Sequence, residues 1–128
     1  MIYIKATVKG EPDVPPVTRI FQYADETDEL ILHHSVEMVS EKLARNMKLN
    51  VNEVLLLYAY CVASEIRAKK RAGTIERNAK KILSAGQVMV GVPETLRTIV
   101  LDAVVDGRRE GVVLRQPIPA SRYIMAAE

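Results

Sequence analysis

Residues 50–67 read NVNEVLLLYAYCVASEIR. Val54 to Ala63 is apolar on every side of a helical wheel, and a helix of that kind must be enclosed. Asn50 followed by Glu53 has the spacing of a capping box, with Asn in place of the usual Ser or Thr. The stretch therefore predicts a central helix, started at Asn50 and packed against its neighbours all round. At ten apolar residues it is about half of what a bilayer span needs, so the expectation is a soluble protein.

The segments on either side have to supply that enclosure. Upstream, Leu32, Val36, Val39, Leu43 and Met47 recur every three or four residues and predict an amphipathic helix over Asp28–Asn46. Thr27 is its expected N-cap, Asp28 and Glu29 suit its first turn, and Asn46 can close it in the left-handed conformation. Downstream, the central helix is expected to run on to Arg71 or Ala72, with Gly73 as its stop. Thr74 then caps a shorter helix to Leu83, with Ile75, Ala79, Ile82 and Leu83 on one face. Ser84 and Gln87 form a second capping-box match that opens a turn of helix, ended by Gly91, with Pro93 beginning the next segment.

Both ends of the chain read as β. Ile2, Ile4, Ala6 and Val8 alternate with Tyr3, Lys5 and Thr7, the period of a half-buried strand. Val17–Tyr23 is a second strand after the Pro-rich break KGEPDVPP. Ile99–Val105 and Val112–Gln116 form a hairpin, turned at Asp106-Gly107. The first strand has two available edges, Val17–Tyr23 or the C-terminal hairpin, in its own chain or in a second copy. The predicted class is α+β: a small helical bundle of three main helices and a short one, a C-terminal β-hairpin and an extra N-terminal β segment. Residues 1–27 are read as an N-terminal extension, 28–118 as the main domain and 119–128 as a tail that orders only against a partner.

Chemistry is sparse. The chain has 128 residues, a formal net charge of +2, one cysteine and two histidines. One cysteine excludes an internal disulfide and fits a reducing cytoplasm. Adjacent His33 and His34 point about 100° apart on a helix and cannot chelate one metal from one face. Cys61 lies in the apolar run and reads as a small buried hydrophobe. Asp25, Glu26, Asp28 and Glu29 are explained by a helix start. No residue is assigned a catalytic, cofactor-binding or metal-binding role. The one marked charge feature is the run Arg67, Lys69, Lys70, Arg71, Arg77, Lys80 and Lys81, against the single acid Glu76. It could track phosphates, which makes a small nucleic-acid-binding module a rival reading, but the aromatic platforms of single-strand binders are missing there.

The order of parts resembles the urease gamma subunit family. The stretches that carry the resemblance are EKLARNMKLNVNEVLLLYA (41–59), the lone Arg67, ILSAGQVMVGVPE (82–94) and the closing LRQPI (114–118). The resemblance implies a non-catalytic, structural gamma-type subunit of a urease-like nickel amidohydrolase, with nickel and the urea-hydrolysing groups in a separate large subunit. It implies urease-type alpha and beta subunits as partners, in a trimeric oligomer. The family usually has Gly-Lys where this chain has Lys69-Lys70, hence the longer second helix expected here. The first 27 residues mostly have no counterpart, so a diverged, stand-alone member that self-associates is the alternative.

Overall fold

The capping box at the start of the central helix forms as the spacing predicts. Asn50 Oδ1 accepts the Glu53 N–H at 2.9 Å, and Glu53 Oε1 accepts the Asn50 N–H at 3.0 Å. The structure, a computed structural model, describes residues 1–119. The expected tail, apart from Pro119, lies outside the described residues. In chain order the elements are β1 (Ile2–Lys9), β2 (Val17–Tyr23), α1 (Glu26–Ala44), α2 (Val51–Arg67) and α3 (Ala72–Ala79). A single 3₁₀ turn (Ala85–Gln87), the short α4 (Val92–Thr95), β3 (Thr98–Val105) and β4 (Arg108–Arg115) follow. The fold is α+β, as expected.

All four strands form one antiparallel sheet in the order β2-β1-β3-β4. The question of which edge β1 uses is answered by both: it pairs with β2 on one side and with β3 on the other, within its own chain. The alternation in β1 is real. Ile2, Ile4, Ala6 and Val8 are buried and lie in register with Val105, Ala103, Leu101 and Ile99, which are buried too. Val112 and Leu114 of β4 complete that face. α2 packs on it and buries Val54, Leu55, Leu57, Tyr58, Ala59, Val62, Ala63 and Ile66. The β3–β4 turn needs only Asp106 and Gly107, both at positive φ (51° and 82°), the geometry that matches strand twist in a two-residue hairpin. β4 therefore starts at Arg108, earlier than Val112.

Several helix boundaries differ from expectation, each for a local reason. α1 starts at Glu26 because Asp25, not Thr27, is the N-cap; its Oδ1 accepts the Asp28 N–H at 2.9 Å. Asn46 does close α1 at φ 58°, but Met47, one step beyond, is exposed instead of in the stripe. α2 stops at Arg67, short of Ala72. Lys69 takes the left-handed conformation (φ 60°), its N–H donates to Ile66 O, and Lys70 N–H donates to Glu65 O. That pair of bonds is a Schellman closure, made here without the glycine that usually permits it. Gly73 thus lies inside α3, which begins at Ala72 without a side-chain cap and ends at Ala79; Thr74 is within it.

Candidate functional site

Ser84 to Leu96 is held at both ends. Gln87 Oε1 accepts the Ser84 N–H at 2.9 Å, closing the first turn. Next to it, Leu49 and Val88 form a parallel β-bridge. Leu49 N–H donates to Gln87 O at 3.0 Å, Met89 N–H donates to Leu49 O at 2.9 Å, and Lys48 Nζ donates to Gly86 O at 2.8 Å. Gly91 does not end a helix; at φ 92° it is the N-cap of α4, and Pro93 sits in the first turn. That φ favours glycine even though a Cβ would meet no atom within 4 Å. β1 also constrains the loop: a Cβ on Gly10 would lie 2.7 Å from Thr95 O, so only glycine lets the strand end approach α4.

The loop's side chains divide sharply. Val88, Val92 and Leu96 are buried anchors, while Met89 is half exposed and Val90 is fully exposed. An apolar tip is thereby held in water on a backbone that cannot easily fold it away.

A second constellation joins distant parts of the chain. Arg67, the last residue of α2, donates to both carboxylate oxygens of Glu29 at 2.6 and 2.9 Å. It also donates to both oxygens of Asp106 at 2.8 and 3.1 Å. The Met1 amino group lies 2.9 Å from Asp106 and 3.3 Å from Glu29. Arg67 holds the Glu29 carboxyl below its ordinary value, and holds Asp106 far below it, with the amino group adding to both. Glu29 is only 12% exposed, whereas Asp106 is 53% exposed, so the Glu29 side carries more of the energy. Glu29 read in sequence as a helix-dipole residue and Asp106 as a turn residue; neither signalled this partnership. Arg67 itself read only as part of the basic run and of the family pattern.

The other candidates disperse. His33 Nδ1 is 3.1 Å from Tyr60 OH, with the two rings edge to face, and His34 is exposed. Cys61 is partly buried, and burial pushes its thiol up, with Glu65 adding to the shift. Asp25 caps α1, and Glu76 accepts the Val113 N–H. No group of three or more His, Cys, Asp or Glu among the described residues could hold a metal ion. The basic run is divided: Arg67 faces two carboxylates, Lys70 Nζ lies 3.4 Å from Glu65, and Arg77 donates to Thr74. Among the described residues no helix is long and apolar enough to cross a membrane.

Comparison with known proteins bears on what such a scaffold is for. The family described as urease, gamma subunit, matches residues 21–118. The urease subunit gamma of Halalkalibacterium halodurans is 29% identical over 93 residues, which cover 73% of this chain and 93% of that protein. That of Streptomyces coelicolor is 25% identical over the same shares. The urease subunit alpha of Helicobacter heilmannii is 29% identical over 96 residues, 74% of this chain but only 41% of that longer protein. The family match spans α1, α2, α3, the constrained loop, the β3–β4 hairpin and all the residues of the ion cluster except Met1. This chain belongs to the urease gamma subunit family.

Proposed function

We propose that this chain is the non-catalytic, gamma-type structural subunit of a urease-like nickel amidohydrolase, cytoplasmic and trimeric. Urea hydrolysis and nickel then belong to a separate large subunit, and alpha- and beta-type subunits are the partners. The observation that carries the reading is the family match, which runs from the end of β2 to Ile118. The loop supports it: fixed backbone with an exposed apolar tip suits a surface that must fit a partner, where a misplaced turn would cost complementarity. The described residues do not fit a nickel site. They present no cluster of three candidate ligands, and the two adjacent histidines point about 100° apart on α1, with His33 engaged by Tyr60. No step of the reaction is routed through this chain.

Co-expression with the large subunit from the same genome tests this. The chain should co-purify with it, and urea hydrolysis should appear only in the complex. Val90→Asp should weaken co-purification by about tenfold or more, as for an interface anchor, while leaving the melting temperature unchanged. Near-stoichiometric, tightly bound nickel in the purified chain alone would overturn the proposal, and so would urea hydrolysis by it. Assembly indifferent to Val90→Asp would remove the loop from the interface.

A further inference from the structure

The two edges of the sheet are finished differently. Along β4 lies α3, and Glu76 Oε2 accepts the outward N–H of Val113 at 3.2 Å. Along the outer edge of β2 no described strand pairs. Val17, Thr18, Arg19 and Ile20 are exposed, Val17 by 53% and Ile20 by 58%. A straight row of unpaired N–H and C=O groups is a template for another strand unless lysines, prolines or a bulge blunt it. Here the β1–β2 register is unbroken, Pro15 and Pro16 stop short of the strand, and Arg19 is its one charge.

We propose that β2 pairs antiparallel with β2 of a second copy of this chain, about a twofold axis through Ile20, making one continuous sheet. Pairing of a surface with itself requires that symmetry. Ile20 is the middle residue of the seven in Val17–Tyr23, so this centre alone engages the whole strand. It sets Val17 opposite the second copy's Tyr23, Thr18 opposite its Gln22, Arg19 opposite its Phe21 and Ile20 opposite its Ile20. β-branched, aromatic and cation–aromatic neighbours of this kind favour pairing. Shifting the axis one residue toward the N-terminus would set Arg19 against its own copy, like charge to like, and shifting it one residue the other way would leave Val17 and Thr18 opposite residues beyond the strand. On the helix side, Arg19, Phe21, Asn52, Leu55 and Leu56 line an open groove of about 220 Å³, which a second strand alongside β2 would close. Val17–Ile20 precede the family match, which begins at Phe21, so this surface is additional to the gamma-type role and needs no large subunit.

Sedimentation and light scattering of the full chain test the proposal. The expected particle has twice the 14.3 kDa chain mass, with a Kd below about 0.1 mM, still a weak association. Ile20→Glu faces itself across the axis and should weaken the dimer by about tenfold or more. Its own cross-strand neighbour is Lys5, so the monomer fold should keep its melting temperature. Mixing Ile20→Glu with Ile20→Lys should restore a heterodimer, because only a residue that opposes itself can be rescued this way. Met38→Lys, on the exposed side of α1, should leave the dimer intact. The proposal fails if the full chain stays monomeric at about 1 mM. It also fails if Ile20→Glu dimerises as tightly as the parent, or if mixing restores nothing. Dimerisation of a chain ending at Pro119, but not of the full chain, would show that residues 120–128 occupy the edge and would overturn it equally.

Discussion

α1 and α2 have 19 and 17 residues and are closed by the same devices. Each begins at a side-chain cap, Asp25 or Asn50, and each ends in a Schellman closure on a non-glycine residue, Asn46 or Lys69. Yet α1 buries only Leu32 and Val39, whereas α2 buries eight residues. α2 packs against α1, α3 and β3, while α1 packs on α2 and touches β2 and leaves Leu30, Ile31 and Met38 in water. Helix ends are local chemistry; helix burial is decided by what lies beside the helix.

The sharpest way to break the contrast is truncation on each helix. Leu57→Ala in α2 should destabilise the fold by about 2–5 kcal/mol, transfer cost plus cavity. Leu30→Ala in α1, at 66% exposure, should stay within about 0.5 kcal/mol. Urea melts of the two variants check this, and equal losses would erase the distinction between the helices.

Arg67 ties the two helices together, and its effect should depend on pH. The Glu29 and Asp106 carboxyls lie below their ordinary values of 4.5 and 3.8, mainly through hydrogen bonds from Arg67. Groups depressed in the folded state contribute stability that is whole above the unfolded values and is lost as pH falls through the folded ones. Arg67→Met should therefore melt earlier than the parent at neutral pH, and the gap should narrow steadily in acid. A gap that is constant with pH would show that Arg67 acts through packing alone.

The caps should cost less than the core. Asn50→Ala and Asp25→Ala should each destabilise by about 1 kcal/mol, similar despite the unequal burial of their helices. A much larger loss at Asn50 would mean that the cap and the core are coupled. Smaller still, and opposite in sign, is Lys69→Gly. It relieves a left-handed residue that carries a Cβ and should stabilise by somewhat under 1 kcal/mol. Asn46→Gly should change stability by only a few tenths, since Asn already tolerates that conformation. Matched thermal melts would settle the order.

Much of this was legible in the residues themselves. The apolar run Val54–Ala63, the Asn50–Glu53 box, the Asn46 stop, the Asp106-Gly107 turn and the alternation in Ile2–Val8 act within a few residues of themselves, so the sequence declares them. The glycine and proline of Ser84–Leu96 likewise announced a constrained turn, though not that Gly91 would open α4 instead of closing a helix. What the sequence could not declare depends on neighbours far along the chain. Alternation says that β1 is a strand but not that it pairs with both β2 and β3, because a strand's two edges carry the same backbone groups whichever neighbour takes them. Lys69 shows no preference for a left-handed turn; it adopts one where α2 ends and the chain turns into α3. The Arg67 cluster joins residues separated by 38 and 39 positions, and no local pattern encodes a meeting at that range. Only packing α1, α2 and the hairpin against one another brings those three charges within hydrogen-bonding distance.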